Sequence, residues 1–470
     1  MTTGLRHEEE EALRRALSHA LAYRRSLPER PIPATIDAAE ATRRFSDPLP
    51  DHGRDPAEVI DDLVARGEEG LLQMASPGFH GYVIGAGHPA GIAADLLVSA
   101  WGQNAAYAAT TPTTAAVENA VAAQVVDLLG LPAGGAGFVT GATMANTVGV
   151  MAARHALLAR EGWDVEARGL FGAPEIHVVL SAEAHSAVHA ALRYAGLGSA
   201  RAIRVPADEQ GRIRPEAFAE AIAPLSGPVL VVLQAGHVNS GAFDPFEEIL
   251  PLARGKNAWV HVDGAFGLWL RAVPDLALRL TGVEQADSWA LDLHKWLNAP
   301  YDAGLVLTRE AAPLVGAMSA HGAYLPEHGA VPDPADAVPE LSRRARGVPS
   351  WAILQTLGRE GVREMVARHC RLAAWIGGQL SQIPGITVLN EVVANQVAFH
   401  VGEGDRRDAA TAAVLARVQA GGRVYPTHGQ WRGGAIIRVS VIGHRTDEDR
   451  ARAAVEAIRE AWAHVREEIA

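Results

Sequence analysis

Between residues 78 and about 325, short runs rich in β-branched residues (GFVT, IHVVLS, AIRV, PVLVVLQ and AWVHVD) alternate with stretches whose apolar residues recur at helical spacing. Runs this short and apolar suit strands buried on both faces, and strands separated by helices pair in parallel because each helix carries the chain back across the sheet. The pattern predicts an α/β fold with a mostly parallel central sheet. Ligands of such sheets bind beyond the carboxyl ends of the strands, so polar residues closing these runs are the first candidates for function.

Asp263 closes AWVHVD. The stretch from Val260 to Leu307 reads HVDGAFGLWL and then ADSWALDLHKWLNAPYDAGLVL. It sets this acid, the pair His294–Lys295 and three strand-like segments at the spacing of a pyridoxal-phosphate site. That cofactor is held through its aldehyde by a lysine amine, and an acid beside its pyridine nitrogen favours the protonated ring, which withdraws electrons from the substrate's α-carbon. Lys295 sits between His294 and Trp296 in an apolar setting, and burial favours the neutral amine this chemistry needs. For Asp263 taken alone, capping a turn before Gly264 is the alternative.

GFVTGATMANTVGVMAARHALL begins as a strand, passes Gly141 and Thr143, and continues with helical spacing from Met144. A strand-to-helix turn offers free N–H groups and the positive end of the helix dipole, where each charge interaction is worth roughly 0.3–2 kcal/mol. Gly141, Ala142 and Thr143 are the expected phosphate contacts, helped by His294.

Four segments in order, FVTGATMAN (138–146), EAHSAVHAALRYAGLG (183–198), HVDGAFGLW and DLHKWLNAPYD, resemble the group II pyridoxal-phosphate-dependent decarboxylases. That family includes the aromatic-amino-acid, histidine, tyrosine and glutamate decarboxylases, and the resemblance covers roughly residues 30–450. It implies a fold-type-I enzyme in which Lys295 forms the Schiff base, Asp263 binds the pyridinium, Ala265 packs beneath the ring, and His185 stacks on the other face and helps place the substrate carboxylate. It implies a substrate pocket lined by SPGFHGYVIG (76–85), with Phe79, His80 and Tyr82, together with Trp101, Thr110, Thr111 and Tyr324. It also implies a homodimer with a shared active site. The organisation expected is an N-terminal dimerisation arm (1–75), a large cofactor-binding domain (76–325), a mobile active-site loop and connection (326–349) and a smaller α+β domain (350–470). The activity expected is α-decarboxylation of an L-amino acid to an amine and carbon dioxide.

The chain departs from the family in three places. Members usually carry a tyrosine on the loop ahead of the Arg-rich stretch, to protonate the α-carbon. Here Pro334 and Ala337 stand in that neighbourhood, and Tyr324, His321 and His328 are the nearby groups able to donate a proton. Without a positioned acid the electron-rich carbon persists and can meet dioxygen. Decarboxylation coupled to oxidative deamination, giving an aldehyde, is therefore the alternative; a retro-aldol carbon–carbon lyase and a catalytically silent cofactor-binding dimer are the further rivals. Asp292 stands where many relatives have asparagine; an acid near a phosphate repels it unless it points away, so a cofactor contact and a structural hydrogen-bonding role are the two readings open for it. Val238 stands where several relatives have threonine near the cofactor hydroxyl, a contact expected to be lost or to fall to His237 or Asn239.

The 470 residues include 42 Lys plus Arg against 54 Asp plus Glu, a formal charge of −12, so no general basic field draws nucleic acid. The basic cluster SRRAR (342–346) is expected to meet carboxylates at an interface. The lone cysteine, Cys370, excludes an intrachain disulfide, and 19 scattered histidines without ligand spacing predict no metal. The N-terminus lacks the apolar core of a signal peptide, and no run reaches the roughly 18–20 apolar residues of a membrane span. A cytoplasmic protein without a membrane partner is expected. Residues 6–26 read as a helix, 28–56 as a Pro-rich extended segment and 319–341 as a long loop. From about 350 a helix leads into ITVLN, NQVAFHV, AIIRVSVI and a final helix.

Overall fold

The computed structural model describes residues 7–319 and 331–469. Its larger sheet has seven strands: β1 (Gly135–Val139), β2 (His177–Ser181), β3 (Ile203–Val205), β4 (Val229–Gln234), β5 (Trp259–Asp263), β6 (Ser288–Asp292) and β7 (Gly304–Thr308). They lie in the order β1-β7-β6-β5-β4-β2-β3. The block from β3 to β6 is parallel. Every residue of β4 to β7 is buried, which is why these strands read as mainly apolar runs, with polar residues chiefly at their ends, rather than as alternating ones. β7 runs antiparallel to both β6 and β1. The short return through residues 293–303 contains no crossover helix, so it reverses the chain as a hairpin does.

The helix Ala142–Arg160 packs under the centre of this sheet, and His261 of β5 is bonded into that contact. Its Nε2 meets Asn146 Oδ1 at 2.8 Å and its Nδ1 meets Ser288 Oγ at 2.8 Å. A Cβ at Gly149 would lie 2.4 Å from the ring, so glycine there lets the helix reach the sheet. Burial pushes His261 from its ordinary 6.5 down to about 3. His369 is likewise pushed to about 3 and His80 to about 4. The unfolded chain therefore takes up protons that the folded chain refuses, and stability is complete above about pH 6.5 and lost as the pH falls toward these folded values. The urea midpoint is expected to decline between pH 6.5 and 4, and His261→Gln to remove part of that decline. Identical slopes for variant and parent would contradict this account.

A second, antiparallel sheet contains β8 (Ile386–Val388), β9 (Gln396–Val401), β10 (Thr427–Trp431) and β11 (Gly434–Ser440), in the order β10-β11-β9-β8. The helices Gly347–Leu380, Arg407–Ala420 and Glu448–Ile469 enclose its core, which includes Ile376, Phe399, Val414, Val439 and Ile458. β10, reading THGQW, carries little of the β-branched signal that marks its neighbours. Backbone pairing with β11 makes it a strand.

Two expectations need correction. Residues 28–56 are not uniformly extended: a helix, Ala38–Arg44, interrupts them, capped by Asp37, whose side chain accepts the Glu40 N–H at 2.7 Å. The SRRAR cluster meets carboxylates of its own chain, Arg343 on Glu118, Arg344 on Asp95 and Arg346 on Asp302. In the long loop, Tyr324, His321 and His328 lie outside the described residues. Its downstream part forms the turn Pro334–Ala337, pinned where Ala335 N donates to Ala106 O and Asp333 accepts from Ala108 N. Among the described residues no helix is long and apolar enough to cross a membrane, and no cluster of ligating side chains could hold a metal.

Candidate active site

The carboxyl ends of β4, β5 and β6 place Gln234, Asp263 and Asp292 around a cavity of about 480 Å³. The same cavity collects Gly141, Ala142, Thr143, His185, Ala265, His294 and Lys295. These side chains come from five separate stretches of sequence, and the sheet brings them together.

Asp263 is buried, and its Oδ1 accepts the Ala265 N–H at 3.2 Å. It thus caps its turn and lines the cavity at once. Lys295 follows β6, with Nζ 3.0 Å from Asp292 Oδ2. His185 is the N-cap of the helix Ser186–Tyr194, its Nδ1 accepting the Ala187 N–H at 3.2 Å. That bond fixes the ring's direction. Burial holds His185 below the ordinary histidine range, with the Asp263 charge opposing, so the ring is neutral near neutral pH.

Gly141 caps the helix Ala142–Arg160. A Cβ on Gly141 would lie 2.9 Å from His294 Cε1, and one on Gly304 would lie 2.5 Å from the Gly141 Cα. Two glycines therefore let the helix start press against both β7 and the histidine. His294 accepts the Ala303 N–H on Nδ1 at 3.2 Å, its Nε2 lies 3.3 Å from Asp292 Oδ1, and the Tyr301 ring stands 4.5 Å away. Burial lowers its pKa also, with Asp292 opposing.

The arrangement fits pyridoxal phosphate: an amine, an acid at a strand end, a histidine, and a glycine-opened helix N-terminus for an anion share one cavity of the size that holds small cofactors. One feature runs against the grain. Asp292 Oδ1 already accepts the Ala142 N–H, at 2.5 Å.

The expected substrate pocket is brought together only in part. Tyr82 lines the cavity. Phe79 turns away, buried and stacked 5.6 Å from Tyr425; its backbone bridges Tyr425, which commits that side chain to the join with the smaller sheet. His80 is buried without a partner for either ring nitrogen among the described residues. Within one chain Trp101, Thr110 and Thr111 do not reach the cavity. Trp101 ends the helix Pro89–Trp101 half-exposed, and both threonine hydroxyls donate to Tyr107 O. Val238 lines the cavity, but His237 is drawn off by Glu183, 3.0 Å from its Nε2, and Asn239 Oδ1 accepts from Arg438.

Sequence reasoning missed Tyr301 and Arg438. Tyr301 lay inside the quoted lysine motif. Arg438 was signalled by a charge within the apolar run AIIRVSVI; it is buried in β11 and donates to Val238 O at 2.8 Å, close enough to help lower the His185 pKa.

A lysine and an acid above a mostly parallel sheet, beside a histidine and a helix N-terminus, define a pyridoxal-phosphate enzyme of fold type I. Comparison with known proteins agrees. The model of the pyridoxal-dependent decarboxylase conserved domain matches residues 40–402, and the chain belongs to that family, with pyridoxal 5'-phosphate as its cofactor. It is 25% identical over 467 residues to the phenylacetaldehyde synthase of Arabidopsis thaliana, covering 95% of this chain and 92% of that protein. It is 27% identical to the aromatic-L-amino-acid decarboxylase of Bacillus atrophaeus over 79% of this chain and 77% of that one. The crystal structure of Oryza sativa TDC with PLP and tryptamine matches the fold with a TM-score of 0.91 at 24% identity, over 99% of both chains.

Proposed function

We propose that this enzyme removes the α-carboxylate of an L-amino acid as carbon dioxide and releases the amine, working as a cytoplasmic homodimer whose two chains share each active site. The observation that carries this is the meeting of Lys295, Asp263 and His185 in one cavity of a chain from the decarboxylase family. Lys295 would hold the cofactor aldehyde, Asp263 its ring nitrogen, Ala265 and His185 its two faces, and Gly141, Ala142, Thr143 and His294 its phosphate. When bound, the cofactor supplies a sink for the electrons left by the departing carboxylate.

The chain's own groups do the rest. The buried Asp263 carboxylate keeps a proton on the ring nitrogen by opposite-charge attraction. His185, neutral and fixed by its capping bond, orients the substrate carboxylate, and the amine of Lys295 moves protons to and from substrate nitrogen. The dimer is supported by the helix His7–Ser26, which buries none of its residues within the chain and exposes Leu13, Leu17 and Leu21, as an arm over 1–75 would. The compartment rests on the lone cysteine, Cys370, buried and unpaired.

A second reading gives an aldehyde, through decarboxylation coupled to oxidative deamination. It is favoured by the turn Pro334–Ala337, which carries no phenol, and by the similarity to a phenylacetaldehyde synthase over nearly the whole chain. Cofactor-loaded, aerated protein given a mixture of L-amino acids is expected to yield an amine and carbon dioxide without oxygen uptake. Aldehyde with oxygen uptake would establish the second reading. No product and no spectral change with any amino acid would overturn both.

A further inference from the structure

Asp292 ends β6 and is only 2% exposed. Its Oδ1 accepts the N–H of Ala142, the first residue of the helix Ala142–Arg160, and lies 3.3 Å from His294 Nε2, while its Oδ2 lies 3.0 Å from Lys295 Nζ. A single buried carboxylate thus engages the helix start, the histidine and the amine that the proposed cofactor seat uses. A helix N-terminus attracts one anion well, and a second anion beside the first is repelled at a buried site where screening is weak.

Resting on Gly141, Ala142 and Thr143 as the phosphate seat, we propose that Asp292 is a resident competitor for the cofactor phosphate. Its carboxylate holds the seat in the unloaded protein, and loading requires either that it leave the Ala142 N–H or that the incoming phosphate, whose second pKa is about 6, take up a proton beside the fixed carboxylate charge. The chain should therefore favour the phosphorylated cofactor over its unphosphorylated form only weakly at alkaline pH, and more strongly on acidification. An ordinary phosphate seat does the opposite, because the phosphate loses its second charge near a pKa of about 6.

The groups that face Asp292 leave this sign intact. The helix Ala142–Arg160 offers a backbone N–H. The turn after β6 offers His294, Lys295 and Tyr301, the helix Ser186–Tyr194 offers its cap His185, and Asp263 shares the cavity. Burial keeps His294 and His185 below the ordinary histidine range, and burial together with Asp292 raises Tyr301. Each of these shifts works against a histidine gaining a proton, or the tyrosine losing one, between about pH 6.5 and 9.

The test is the ratio of affinities for pyridoxal 5'-phosphate and unphosphorylated pyridoxal, each titrated into apoprotein and followed by visible absorbance. Both ligands meet the same lysine, so the ratio cancels any effect of freeing Lys295 from its ion pair. Asp292→Asn and Asp292→Ser are each expected to raise phosphate selectivity at about pH 8 by roughly tenfold or more, with pyridoxal affinity much less changed. Wild-type selectivity is expected to rise from about pH 9 to 6.5, and this rise to vanish in the variants; the wild-type measurement needs no variant to fold. Selectivity unchanged or lowered by both substitutions, or a wild-type ratio that falls on acidification, would overturn the proposal while leaving the seat in place. Absence of any phosphate selectivity in wild type and variants alike would overturn the seat itself.

Discussion

Replacing Lys295 with alanine is expected to lower turnover by roughly four orders of magnitude or more and to abolish the absorbance change that accompanies cofactor binding. Lys295 stands on the return between β6 and β7, with its Nζ paired to Asp292 and its side chain partly exposed to the cavity. Its loss therefore removes the amine without opening a hole in the core. The far-ultraviolet circular dichroism should stay that of the parent. Single-turnover release of carbon dioxide by fully loaded variant is the measurement, and wild-type turnover in that variant would show the lysine assignment to be wrong.

The largest effect on stability is expected from Arg343→Met. Arg343 is fully buried, its Nη1 lying 2.7 Å from Glu118 Oε2 and donating to Ala105 O, while Nη2 donates to Phe138 O at 2.9 Å. It ties the stretch after the turn Pro334–Ala337 to the helix Pro112–Leu129 and to β1. Removing the cation strands the Glu118 carboxylate in the interior, a loss of about 3–5 kcal/mol, whereas replacing both partners with apolar residues is close to neutral. Urea unfolding of Arg343→Met should therefore show a large fall in midpoint, and adding Glu118→Leu should recover most of it. A single variant as stable as the parent would mean that the pair carries no such burden.

Much of the larger sheet is legible in the chain because the runs that became β2, β4 and β5 are short, apolar and bounded, and burial on both faces demands that composition. The return through residues 293–303 is less so: nothing in DAGLVLTR records that β7 lies antiparallel between β1 and β6. Polar THGQW became a strand through its partner, and the helix Ala38–Arg44 lies within a Pro-rich stretch because Asp37 starts it locally.

The same division runs through the site. Lys295, Asp263, His185 and the Gly141 turn are legible as candidates in the sequence, since each is marked by its own neighbours: Asp263 ends a strand, His185 and Gly141 each precede a helix, and Lys295 sits on the turn that follows β6. Tertiary structure alone decided that Asp292 would reach the N–H of Ala142, 150 residues away in the chain, that Phe79 would face Tyr425 rather than the cavity, and that Arg438 would come in from the second sheet behind Val238. Local composition records which face of an element is buried. It does not record which distant element will cover that face, because such contacts depend on how whole elements pack rather than on the spacing of residues along one of them.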